Sequence, residues 1–151
     1  MQQPFSLQGR VALITGGGTG IGFDIAKCFL ASGATVVITG RREEVLKEAV
    51  ANLGAGAHYA VNDVADLSRT SMLVAEVSAK HGAIDILVNN ASLLSAGVLL
   101  EDKTDEMLRR TLEIGVWGNW WAMQANACTQ AAAATTKWPP TCACGCAARW
   151  T

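Results

Sequence analysis

Between Thr15 and Gly22 the chain reads Thr-Gly-Gly-Gly-Thr-Gly-Ile-Gly. Glycines allow a tight turn and let backbone N–H groups approach an anion closely. Where such a turn ends a strand and opens a helix, unpaired N–H groups and the positive end of the helix dipole together favour phosphate. The spacing that fits is Gly-x-x-x-Gly-x-Gly, through Gly16, Gly20 and Gly22. The tighter Gly-x-Gly-x-x-Gly does not fit, because Gly16 and Gly18 would need a glycine at Ile21. A merely flexible turn is the plain alternative. Its place at the first strand-helix junction favours the phosphate reading.

A second feature bears on which phosphate compound is held. In dinucleotide sites an acid after the second strand takes the ribose 2′-hydroxyl of NAD. Here the sequence is Thr39-Gly40-Arg41-Arg42, so glycine stands where the acid is expected and two arginines follow. A guanidinium fork suits a 2′-phosphate, which favours NADP(H) over NAD(H). The bland alternative is a solvated arginine pair opening a helix beside Glu43 and Glu44.

These residues need elements to position them. Arg10–Thr15 and Thr35–Thr39 are short β-branched apolar runs and read as buried strands. Ala57–Val61 is a weaker third strand and Ile84–Val88 a fourth. Helices are expected over Gly20–Ser32, where Ile21, Ile25, Cys28 and Phe29 recur at helical spacing, and over Glu43–Leu53 and Leu67–His81. Gly33 and Gly82 supply helix stops. Another helix is expected from Asp102 onward, through Met107, Leu108, Leu112 and as far as Met123. Strand-helix alternation with near-continuous apolar strands means a parallel sheet covered on both faces. The expectation is an α/β fold, an incomplete doubly wound, Rossmann-like sheet of four recognisable strands.

Composition sets outer bounds. The chain has 151 residues, 12 basic and 13 acidic side chains, and a formal charge of −1. That length suits one domain. The even charge gives no electrostatic reason to expect a nucleic-acid or membrane-surface partner. No apolar run reaches the roughly 18 residues of a membrane span. Residues 1–5 lack the basic and apolar regions of a secretion signal, so a cytoplasmic or organellar matrix location is expected.

The glycine loop, Asn62-Asp63-Val64 at the end of the third strand, and Asn89-Asn90-Ala91-Ser92 after the fourth occur in order at suitable separations. Together they resemble the short-chain dehydrogenase/reductase family over about residues 7–125. That resemblance implies an NADP-preferring oxidoreductase that moves hydride between nicotinamide and a carbonyl, an alcohol or an activated C=C bond. It implies that Gly16, Gly20 and Gly22 shape the pyrophosphate turn, with Gly18, Thr19 and Ile21 lining it. Arg41, helped by Arg42, would hold the 2′-phosphate. Asp63 and Val64 would bound the adenine, and Asn90 and Ala91 would support the nicotinamide ribose. Ser92 replaces the usual glycine. The long helix spanning 104–124 resembles the family's dimer-forming helix, which would support homo- or hetero-oligomers.

The family's catalytic set is missing from this sequence. Its Tyr-x-x-x-Lys signature puts both side chains on one helical turn. The only tyrosine is Tyr59, and the residue four later is Asp63. Gly115 stands where an asparagine is expected, and no strand carrying the catalytic serine is recognisable. Tyr59 is expected to pack in its strand, and His58 and His81 to be lone structural histidines. Ser92 and Ser95 have no activating neighbour in sequence. No catalytic or metal-binding residue is therefore assigned, and the chain as written is expected to turn over no substrate.

Composition also changes along the chain. Every Trp lies at or beyond Trp117, and beyond Val116 there is no Leu, Ile or Val. Cys128, Cys142, Cys144 and Cys146 cluster there too. The expected division is a partial dinucleotide-binding domain over 1–125 and an Ala/Cys/Trp-rich, non-family tail over 126–151. Three readings of the tail stand: a shifted-frame translation, a thiolate zinc site, or a genuine disordered or loosely helical extension. Without a fifth strand the fourth becomes an apolar edge, which predicts an oligomeric or poorly soluble product. A non-catalytic dinucleotide-binding or pairing fragment is the alternative function.

Overall fold

A computed structural model describes residues 6–92, 102, 104–112 and 114–115. Along it run β1 (Val11–Thr15), α1 (Gly20–Ala31), β2 (Thr35–Gly40), α2 (Glu43–Leu53), β3 (Ala57–Val61), α3 (Leu67–His81), β4 (Ile86–Val88) and α4 (Asp105–Leu112). The four strands form one parallel sheet in the order β3-β2-β1-β4. This is the Rossmann-like arrangement expected from the alternation.

Strand periodicity explains the two layers. Alternate side chains leave opposite faces of a strand. Ala12 and Ile14 of β1, with Val36 and Ile38 of β2, point to one face and pack on Ala26 of α1 and Leu46 and Ala49 of α2. Leu13 and Val37 point to the other and meet Leu73, Val74 and Val77 of α3. Every residue of β1 is buried, as a central strand covered on both faces must be.

Several expectations need correction. The fourth strand begins at Ile86, not Ile84, and the first begins at Val11, not Arg10. Asp85 is the cause. Its carboxylate accepts the Val11 N–H at 2.9 Å and pairs with Arg10 at 2.6 Å, so side-chain bonds stand beside the ladder there. Ile84 is fully buried just before the strand. In α1 the buried face is Gly22 and Ala26, flanked by half-buried Ile25 and Phe29, whereas Ile21 and Cys28 are exposed. The fourth helix starts at Asp105 rather than Asp102, with the Thr104 hydroxyl accepting the Met107 N–H at 3.3 Å.

Among the described residues, no helix is long and apolar enough to cross a membrane. The tail 126–151, Ser95 and the 113–124 part of the fourth helix, apart from Ile114 and Gly115, lie outside the described residues.

Candidate functional site

Parallel strands bring the ends of β1, β2, β3 and β4 to one edge of the sheet. A cleft of about 360 Å³ opens there. Its walls are the segments that follow each strand: Gly16–Thr19, Gly40–Arg42, Asn62–Val64 and Asn90–Ser92. Ligands of open α/β sheets sit at this carboxyl edge, where crossovers diverge to opposite faces.

The glycine turn is held from below by Asn90. Its side-chain amide donates to the carbonyl oxygens of Thr15 and Gly16, both at 3.1 Å. Gly16 has φ +67°, a region that excludes most side chains, and a Cβ there would lie 3.0 Å from Ala91 Cα. A Cβ at Gly22 would stand 2.5 Å from Asn90 Nδ2 and 2.6 Å from the Gly16 carbonyl oxygen. The glycines are thus required by close backbone approach as well as by torsion.

Thr15 completes the junction. Its buried hydroxyl accepts the backbone N–H groups of Asn90 at 3.1 Å and Ala91 at 3.0 Å. It also reaches the Val88 carbonyl at 3.4 Å. The end of β4 is thereby fixed to the start of the glycine turn.

Of the residues singled out from sequence, Gly16, Gly18, Thr19, Ile21, Arg41, Arg42, Asp63, Val64, Asn90 and Ala91 all line this cleft. Gly20 and Gly22 do not line it; Gly20, at φ +58°, and Gly22 shape the turn behind it. Ile21 is 74% exposed, so its side chain stands over the cleft instead of in the core. Sequence reading missed Thr15, and also Gly17, where a Cβ would fall 2.6 Å from Ile38 Cγ2. It also missed Val45, Leu46 and Ile114 as lining residues. The glycine run was the available signal for Gly17; Ile114 carried none.

The electrostatics of the cleft are specific. Arg41 and Arg42 are exposed, and neither forms an ion pair among the described residues. The buried Thr39 Oγ1 and Asn62 Oδ1 lack hydrogen-bond partners within the described chain. Buried polar atoms of this kind ordinarily find a partner. Asp66 caps α3 by accepting the N–H groups of Ser68 and Arg69, each at 3.1 Å. The Ser68 hydroxyl, which also bonds Asp66, holds its carboxyl below the usual range, aided by those N–H groups. This cap stiffens the chain just after the Asn62–Val64 wall.

The expected lone histidines are not alone. The rings of His58 on β3 and His81 at the end of α3 lie 4.2 Å apart, tilted by 35°. Burial lowers the His81 pKa, with His58 and Lys80 adding repulsion. Tyr59 packs against the core and its hydroxyl donates to Glu43 at 3.2 Å.

Comparison with known proteins gives a consistent picture. A family model described as short chain dehydrogenase matches residues 10–133. The chain is 38% identical over 117 residues to the short chain dehydrogenase/reductase dpmpG of Macrophomina phaseolina, covering 75% of this chain and 67% of that protein. It is 33% identical over 126 residues to galactitol 2-dehydrogenase of Rhizobium johnstonii, covering 82% of this chain and 49% of that one. A sorbitol dehydrogenase of Cereibacter sphaeroides is 38% identical over 121 residues, with 80% and 47% covered. Among solved structures, a glucose/ribitol dehydrogenase of the short-chain type from Brucella melitensis superposes with a TM-score of 0.76 at 28% identity. That match covers 83% of this chain and 53% of the other. The chain thus spans about half the length of several relatives that it matches.

Proposed function

The chain belongs to the short-chain dehydrogenase family, and from that premise we propose that its cleft binds a nicotinamide dinucleotide, NADP(H) in preference to NAD(H). One observation carries the preference: Arg41 and Arg42 stand at the cleft with no ion-pair partner among the described residues, beside a glycine where an acid would serve NAD. The residues suit such a guest. A Cβ at Gly18 would press on Val45 and Leu46 in the cleft wall, and Thr39 Oγ1 and Asn62 Oδ1 are buried polar atoms at that wall with no hydrogen-bond partner among the described residues.

In this reading Gly16–Gly22 receive the pyrophosphate at the start of α1, Asp63 and Val64 bound the adenine, and Asn90 and Ala91 support the nicotinamide ribose. A bound nicotinamide supplies hydride donation or acceptance, the oxidoreductase chemistry of the family. The relatives' names place sugar alcohols among their substrates; for this chain the substrate class is a carbonyl or alcohol, or an activated C=C bond. The 151-residue chain itself holds and orients the dinucleotide but performs no turnover, because Tyr-x-x-x-Lys is absent from it.

Fluorescence titration with NADPH and NADH checks the preference. NADPH is expected to bind more tightly, and Arg41→Ala to weaken NADPH about tenfold or more while sparing NADH, the scale of a lost charged hydrogen bond. Equal affinities overturn it. An NADPH-dependent ketone or enoyl reductase rate above background, abolished by Arg41→Ala, overturns the lack of turnover.

A second reading is a pairing fragment. It rests on Leu108 and Leu112, which are 55% and 46% exposed on one stripe of α4. Size exclusion with a full-length family member tests it, and an unshifted elution profile rejects it.

A further inference from the structure

Beside the arginine pair lies a small charge network, set apart from the glycine loop. Glu43 and Glu44 immediately follow Arg41 and Arg42 at the start of α2. Adjacent carboxylates are the natural partners of such guanidinium groups, and an ion pair there would compete with an incoming phosphate. Neither pairing occurs among the described residues. Instead the Tyr59 hydroxyl donates to Glu43 Oε1 at 3.2 Å. Lys47 Nζ reaches the same oxygen at 3.2 Å and Glu44 Oε1 at 3.4 Å.

Register shows where Glu43 is bound. Tyr59 on β3 lies opposite Ile38 on β2, whereas the cleft opens beyond Gly40. The Glu43 carboxylate is thus bound by a β3 side chain whose register position lies two residues before the end of β2, and it makes no ion pair with Arg41 or Arg42 among the described residues. Lys47 neutralises it there. The bonds to Glu43, then to Glu44, raise the Lys47 pKa, as expected for a cation gaining partners.

We infer that Tyr59 is a specificity-determining positioning residue: by holding Glu43 back, it keeps the Arg41–Arg42 pair open to a ribose 2′-phosphate. The inference rests on the NADP(H) reading above and goes beyond it. It gives a role to the chain's single tyrosine, which has no place in the family's catalytic signature here. Freed from Tyr59, Glu43 reaches forward, pairs with the guanidinium groups and repels the phosphate.

The test uses the whole chain and two small probes, adenosine 2′,5′-bisphosphate and 5′-AMP, titrated calorimetrically. Tyr59→Phe keeps the packed ring and removes only the hydroxyl. It is expected to weaken the bisphosphate about two- to fivefold, the scale of exposed charge interactions, and to leave 5′-AMP unchanged. The loss should shrink in high salt, as screening requires and a packing defect would not. Adding Glu43→Gln to Tyr59→Phe should restore bisphosphate binding. Three results overturn the inference: an unchanged bisphosphate affinity in Tyr59→Phe, an equal loss for both probes, or no rescue by Glu43→Gln. If the unaltered chain binds both probes equally, the NADP(H) reading itself fails; if it prefers the bisphosphate and Tyr59→Phe changes nothing, only the role of Tyr59 fails.

Discussion

Thr15 and Gly22 show how single residues hold the cleft together. The Thr15 hydroxyl receives two backbone N–H groups from the end of β4. Thr15→Val keeps the shape and removes that acceptor, leaving part-buried donors unmet. We expect a loss of about 1–3 kcal/mol in denaturant unfolding, together with weaker dinucleotide binding. Gly22→Ala places a methyl against Asn90 Nδ2 and the Gly16 carbonyl, neither of which can yield without breaking the turn. About 1–3 kcal/mol of stability should go, and NADPH binding with it. An alanine variant that melts and binds like the parent would contradict the close approach. Gly16, Gly20 and Gly22 were legible from spacing alone. Thr15 was not, because its role depends on two N–H groups some 75 positions away in the chain.

Among the elements, acid response should appear in two stages. The His81 pKa is lowered in the folded chain, chiefly by burial, with His58 of β3 and Lys80 of α3 as the charges facing it. The unfolded chain then binds the proton more readily, so stability falls as pH drops below the ordinary imidazole value of about 6.5. The Asp85 pKa is lowered by the Val11 N–H and then by Arg10. Its contribution is present above the ordinary carboxylate pKa and is lost as pH falls below it. Urea unfolding across pH should show both limbs. His81→Gln should flatten the first; Asp85→Asn should remove part of the second and cost under about 1 kcal/mol near neutrality, since Arg10 is largely exposed. A profile of His81→Gln that overlays the parent would refute the first limb. Element types were readable from periodicity in every case described. Boundaries differ at Asp85, whose carboxylate takes the Val11 N–H while its own N–H still donates to the Val11 carbonyl, and at Thr104, whose hydroxyl accepts the Met107 N–H; the inward face of α1 is small Gly22 and Ala26, not Ile21.

At the scale of the whole molecule, the described residues leave apolar surface uncovered in two places. Among the described residues β4 forms one edge of the sheet, and none of its three residues is fully buried. α4 presents Leu108 and Leu112 outward and buries none of its residues among those described. Apolar edges and stripes of this kind drive association. The 151-residue chain should sediment as an oligomer at micromolar concentrations, and Leu108→Lys with Leu112→Lys should shift it toward monomer without changing dinucleotide affinity. A parent chain that sediments as a monomer would refute this. The sequence by itself determined the α/β class, the parallel order of elements, the glycine turn and the arginine pair, because these follow from local periodicity and from spacings within a few residues. Only the tertiary structure decided that Asn90 and Thr15 clamp the turn, that His58 meets His81, and that the Tyr59 hydroxyl bonds Glu43. Those contacts join segments distant in sequence, and no local pattern encodes which side chains the sheet register brings face to face.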